Sequence, residues 1–380
     1  MQKISRTLML MLVSALILQF GLGHLLQETS PLALRLISAI TILIFGALYP
    51  LTRAAEIIET ATDILSKKTH LAAGLLQSVG TAFPDMILGL TAAIISLSLL
   101  KDNPDRAVSY AMIAAATTFG SNIYNIGHAI WCIHRQNRAD ILNKKIRMFP
   151  YIDTLGWLKP LKTHKQKPQI KEIDIAIRLL TILTMLTASV ALLMVTFGKV
   201  TPTLYQLVKP AGIGLCIAAI STLYHFRQIS KESGELEAAE VYANPLMQTG
   251  MANLWFALAI AGITIAFTAN SMVHALETLS LITHIPYVVA GTLAGLVGCL
   301  GEMLVVHNYS IHQNGRLGDA IVGVAMDNIV TIMGASLVAI LGGIFLGGTS
   351  LIILFVLILT LNTILIDQIS VLKTTLIKLR

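Results

Sequence analysis

Long apolar runs separated by short polar links dominate the chain. Runs able to cross a hydrocarbon layer of about 30 Å fall near residues 8–27, 33–67, 71–100, 106–134, 174–197, 203–226, 251–281, 285–312, 318–345 and 349–372. The pattern predicts an all-α integral membrane protein with about ten transmembrane helices. Two runs change character along their length. Residues 33–67 and 251–281 begin purely apolar and end amphipathic, which predicts long tilted helices whose polar ends reach the interface or pack on other helices.

Composition agrees with this reading: of 380 residues, 55% are hydrophobic and only 12% charged, with a mean hydropathy of +0.75. Soluble domains carry about 25% charged residues. The net charge of +7 does not point to nucleic acid, because Lys and Arg gather in the links. Lys3 and Arg6, Lys67 and Lys68, the link from His134 to Lys171, Arg227 and Lys231, Arg316, and Lys373, Lys378 and Arg380 alternate with links poor in net positive charge. That alternation places both termini in the cytoplasm of a multi-pass protein. The exceptions are mild: 101–106 balances its charges and Lys199 stands alone.

Residues 1–27 have the basic start and apolar run of a signal segment, but no clear small-residue cleavage site follows, so an anchor helix is expected. Cys132, Cys216 and Cys299 lie in or beside apolar runs without CxxC spacing, which supports neither a disulfide framework nor a zinc site. The basic link 135–171, with Phe149, Tyr151 and Trp157, is read as a cytoplasmic loop, and the acidic patch 231–240 as a solvated surface. The chain therefore divides into an extra N-terminal helix or signal-like segment (1–34), a first half (35–226), a cytoplasmic linker (227–250) and a second half (251–380).

The stretch SVGTAFPDMILG, residues 78–89, sets a proline and a carboxylate inside an apolar run. An aspartate at the centre of a membrane helix costs about 2.5–3.5 kcal/mol, and a proline deletes a backbone hydrogen bond, so both demand compensation. The chain offers a second copy of the arrangement. Placed under GLVGCLGEMLVVHNYSI, the segment sets Asp85 on Glu302 and Pro84 on Gly301. The helices that follow carry polar clusters at 117–127 and 324–334, which stack Ser121 on Asp327, Asn122 on Asn328 and Asn125 on Thr331 with constant offset. By the charge rule Asp85 lies on an outward-running helix and Glu302 on an inward-running one, so the repeats are expected to be inverted and to meet near the midplane. Helices loosened at Pro84, Gly80, Gly298 and Gly301 would turn backbone carbonyls inward beside the acids.

Carboxylate, carbonyl, amide and hydroxyl oxygens are hard ligands, suited to Ca²⁺, Mg²⁺, Na⁺ or H⁺, and the cluster holds no paired Cys or His for zinc or copper. Ser121 and Asn125 share one helix face, as do Asp327 and Thr331. Asn122 and Asn328 are either ligands or interhelical hydrogen-bond partners, and His128, His134 and His307 are expected to be satisfied interfacial histidines. The glycines at 291, 295 and 298 suggest close helix packing. No nucleotide-binding loop or nucleophile triad appears, which argues against an ATP-driven pump or any enzyme.

At these residues the sequence resembles the cation/Ca²⁺ exchanger superfamily, whose sodium/calcium exchangers carry two inverted alpha repeats with the pattern G-T-S-L-P-E followed by G-S-N-I-x-N or G-S-N-I-x-D. The first repeat here reads GTAFPD (80–85) and GSNIYN (120–125), and the second reads VGCLGE (297–302) and MDNIVT (326–331). The resemblance spans roughly residues 35–345. It implies that Asp85 and Glu302 are the central cation-binding carboxylates, with Ser121, Asn125 and the carbonyls around Thr81 lining the same site. Asp327 supplies an acid one turn before Thr331, where the family often has one. Ala82 and Cys299 stand where the family has serines that help bind sodium. The function implied is a secondary antiporter that exchanges Ca²⁺ for Na⁺ or H⁺ by alternating access, with no cofactor beyond the transported cation. Its partners are inorganic cations and the lipid bilayer. A monovalent cation/proton antiporter and a degenerate, non-transporting protein of the same fold are the other readings the residues leave open.

Overall fold

The computed structural model describes residues 2–69, 73–165, 167–226, 250–311 and 317–379. The side chains of residues 2–4, 59, 63, 66–69 and 73–81 lie outside that description, as do Arg227, Lys231, Arg316 and the acidic patch 231–240. The helices are α1 (Gln2–Leu16), α2 (Leu32–Gly46), α3 (Thr52–Thr69), α4 (Ala73–Leu99), α5 (Pro104–Leu142), α6 (Ile170–Phe197), α7 (Lys209–Phe226), α8 (Met251–Thr283), α9 (Tyr287–Gly298), α10 (Leu300–Ile311), α11 (Leu317–Leu341) and α12 (Gly348–Lys378). Among the described residues seven spans are long and apolar enough to cross a membrane, or eight if α9 and α10 form one bent span. The chain is an integral multi-pass membrane protein.

Apolarity and length alone single out seven or eight candidate crossings among the described residues. The run 106–134 is helical as well, in α5, and so is 203–226 from Lys209 onward, in α7. Buried Thr117, Thr118, Ser121, Asn122 and Asn125 dilute the apolar character of α5, and α7 is short, with Lys209 and His225 near its ends.

Run 33–67 forms one long span, Leu32–Thr62, as expected. Within it the helix widens at a π-helical turn, Ala47–Leu51, that contains Pro50. Proline has no N–H and its ring crowds the carbonyl four residues back, so the helix widens there and continues as α3. Pro84 produces no such turn: α4 runs through it as regular α-helix. The break expected beside both acids occurs only in the second half, where Cys299 separates α9 from α10 and the axis bends by 49°.

Helices α4, α5, α9, α10 and α11 form the centre. On one flank α8 packs against α1, α2, α3 and α4, and on the other α6, α7 and α12 pack against α5 and α11. The α5–α9 contact is close because small residues face each other. A Cβ at Gly291 would lie 2.7 Å from Ala116 Cβ, and one at Gly295 would lie 2.6 Å from the Thr117 carbonyl oxygen. The glycine spacing legible in the sequence thus marks a true helix seam.

The link 135–171 is a folded structure rather than a plain loop. Helix α5 continues to Leu142, ends on the left-handed Asn143, and gives way to an antiparallel hairpin of β1 (Ile146–Phe149) and β2 (Ile152–Leu158). Trp131 stacks on Phe149 with centroids 5.7 Å apart and donates to the Met148 carbonyl at 3.2 Å. Lys145 and Arg147 lie over the Trp157 ring, and Met148, Leu158 and Leu161 are fully buried. Asp140 accepts the Leu161 N–H at 2.6 Å, yet burial raises its pKa above the ordinary carboxylate value. Gly156 adopts φ +92°, and a side chain there would also meet Ile311, so glycine is what lets β2 dock on the end of α10. A second small sheet joins β3 (Lys199–Thr201), β4 (Leu204–Gln206) and β5 (Phe345–Gly347) and ties the end of α6 to the start of α12.

Candidate cation site

Six of the seven site residues expected from sequence are buried on the central helices: Asp85, Ser121, Asn125, Glu302, Asp327 and Thr331. Thr81 lies on α4, and its side chain is outside the described residues. The two halves meet through their acids. Asn125 donates from Nδ2 to Glu302 Oε2, which joins α5 to α10. Asp85 sits against Gly298, the last residue of α9, where a Cβ would overlap its Oδ1 and lie 3.3 Å from its Cα. The sulfur of Cys299 is within electrostatic reach of both Asp85 and Glu302, and Asp327 acts on Asp85 in the same way.

Bonding within the cluster is uneven. Both carboxylate oxygens of Asp85 are buried without a hydrogen-bond partner. Ser121 lies beside Asp85 but gives its proton to the Thr118 carbonyl at 3.1 Å, which leaves hydroxyl lone pairs available to a cation. The Asn125 Oδ1 and both amide atoms of Asn122 are also buried and unbonded. Thr331 donates back to the Asp327 carbonyl at 3.0 Å, within its own helix. Asn328 does the same to Val324 at 2.6 Å. The alternative of Asn122 and Asn328 as interhelical partners therefore does not hold: one bonds its own helix and the other bonds nothing. Asn122 joins the candidate ligands as a buried amide beside Ser121.

Orphaned buried carboxylate oxygens are costly, since an unpaired buried polar group loses its full hydration. Here acidic, amide and hydroxyl oxygens lie together in one apolar setting. That donor set fits a hard cation or protons.

A second charged group escaped the sequence reading. Arg106 reaches Glu277 with both Nε and Nη2, the latter at 2.8 Å, and Tyr110 donates to the same carboxylate while lying 2.7 Å from His274 Nδ1. The partners lie on α5 and α8, far apart in sequence, so no local spacing reveals them. The Glu277 side chain is 3% exposed and that of Arg106 46%. Breaking a fully buried pair costs about 3–5 kcal/mol, and the exposure of Arg106 reduces this. Arg106→Ala is expected to cost about 2 kcal/mol, seen as earlier thermal inactivation of the purified protein, whereas an unchanged midpoint would deny the pair a structural role.

No family model and no curated protein matches the sequence. Solved structures do. The chain superposes on the structure of native YfkE with a TM-score of 0.54, at 13% identity, over 99% of this chain and 96% of that one. It matches the crystal structure of the H⁺/Ca²⁺ exchanger CAX with a TM-score of 0.53, at 14% identity, over 98% of this chain and 95% of that one. The chain has a cation/Ca²⁺ exchanger fold. Both superpositions run nearly end to end, so α1 and α12 fall inside the shared fold. The buried acids of α4, α10 and α11 sit at the centre of that fold.

Proposed function

We propose that the protein is a secondary antiporter that exchanges Ca²⁺ for H⁺ by alternating access around Asp85, Glu302 and Asp327. The observation that carries this reading is Asp85, whose two oxygens are buried without partners against Gly298 of the second motif. Such a carboxylate is stabilised by a bound cation or by a proton, and each excludes the other. Competition for the same acids is the coupling: protons must leave before Ca²⁺ enters, and Ca²⁺ before protons return.

Several features favour protons over sodium as counter-ion. Ala82 is fully buried and its side chain has no oxygen to offer. Cys299 presents a soft sulfur, 3.5 Å from the Leu296 carbonyl, where the family's sodium exchangers have serine. CAX, whose fold the chain shares, is an H⁺/Ca²⁺ exchanger. In this reading the α4–α5 and α10–α11 pairs are the two inverted repeats, and the basic links hold both termini in the cytoplasm.

The sign of the pH dependence follows. Ca²⁺ must displace protons from the acids, so its binding releases protons and its affinity falls as pH is lowered. Calorimetry of Ca²⁺ binding to the detergent-purified protein in buffers of different ionisation enthalpy is expected to show proton release, diminished in Asp85→Asn. Binding with no release at any pH would rule out proton competition at this site.

A further inference from the structure

A different set of ligands lies next to the carboxylates. His128 and Cys132 are one turn apart on α5, with Nε2 and Sγ separated by 3.5 Å. His307 of α10 joins them, so that one ligand atom from each of the three residues lies within 4.8 Å of the others. The His128 and His307 rings stack with centroids 5.8 Å apart. Cys132 is fully buried and His307 is 8% exposed, whereas His128 is only half-buried, which leaves a way in.

Second-sphere contacts resemble those of a built metal site. His307 Nε2 lies 2.9 Å from the Leu155 carbonyl oxygen. A carbonyl only accepts, so Nε2 carries the proton and the ring keeps its lone pair on Nδ1, the arrangement found where a histidine ligand is oriented by its other nitrogen. Phe149 of the hairpin stacks on His307 at 6.1 Å. A thiol–imidazole hydrogen bond would explain the His128–Cys132 pair. It does not explain why the hairpin and α10 bring in a third ligand with a fixed tautomer.

We propose that His128, Cys132 and His307 form a binding site for a borderline or soft transition-metal ion of the Zn²⁺ class, which clamps α5 to α10. Two nitrogens and a thiolate suit such an ion and not Ca²⁺, and three protein ligands leave a fourth position for water. His128 follows Asn125 by three residues and His307 follows Glu302 by five, about 4.5 Å and 7.5 Å along the helix axes. An ion here therefore fixes the two helices beside the Asn125–Glu302 contact. Metal binding stands apart from the transport reading, and only the effect of the clamp on exchange rests on it.

Co²⁺ titration of the full-length, reduced protein in detergent tests the site directly. Wild type is expected to bind one Co²⁺ with a thiolate-to-metal charge-transfer band, and Zn²⁺ should displace it. Cys132→Ser should abolish the band, Cys216→Ser should retain it, and His128→Ala or His307→Ala should weaken Zn²⁺ binding by roughly tenfold or more. Absence of the band in wild type overturns the site whatever the variants do, and so does a band that survives in Cys132→Ser. In proteoliposomes Zn²⁺ should slow Ca²⁺ exchange by wild type and not by Cys132→Ser. Zn²⁺ that binds without slowing exchange would overturn the clamp, whereas a protein that binds Zn²⁺ but moves no Ca²⁺ would count against the antiporter alone.

Discussion

Asp85→Asn is expected to reduce Ca²⁺ exchange by at least about 100-fold, because ligand charge is a main determinant of affinity in calcium sites and Asp85 is one of only three acids proposed to hold the ion. The same change should leave the cation-free protein as stable as wild type or more so. Asp85 has no hydrogen-bond partner to lose, and an amide is cheaper than a carboxylate to bury among apolar helices. The combination separates a binding residue from a packing residue, whose loss would lower both properties. Flux in proteoliposomes and thermal inactivation in detergent measure the two halves. Retained exchange, or a large drop in stability, would remove Asp85 from the site.

Gly298→Ala is expected to cost exchange on the order of 10²-fold without removing any ligand, the scale set by an ångström of misplacement at a preorganised site. A Cβ at this position would overlap Asp85 Oδ1 and lie 2.7 Å from its Cγ. The carboxylate must swing away or the α9–α10 bend must open, and either separates the halves of the site. Ca²⁺ binding should weaken in parallel, which calorimetry reads. Near-wild-type affinity in Gly298→Ala would mean that α4 and α9 do not hold the geometry described.

Much of the site is legible in the sequence because the membrane makes polarity rare. Asp85 and Glu302 stand out as carboxylates in apolar runs, and Ser121 and Asn125 follow from helical spacing. The glycines at 291 and 295 mark the α5–α9 seam for the same reason of scarcity. What a proline does to a helix is not local information: Pro50 sits in a π turn while Pro84 rides inside a regular α-helix. The hairpin at 146–158 hides in a basic link because short strands with mixed polarity carry little period. Arg106 with Glu277, and His307 with His128 and Cys132, are joined only by tertiary packing, so spacing along the chain shows at most the Cys132–His128 pair. The side-chain bonding of Asn328 and Thr331 is likewise invisible in the sequence. Buried side chains close to their own helix backbone turn back to it when nothing better is offered.

The most direct test is Ca²⁺ uptake into proteoliposomes containing the purified protein, driven in parallel by an outward H⁺ gradient and by an outward Na⁺ gradient, with Glu302→Gln as control. The account predicts uptake with the H⁺ gradient, little with Na⁺, and none in Glu302→Gln. Uptake that persists in Glu302→Gln, or no uptake with either gradient from folded protein, would contradict it.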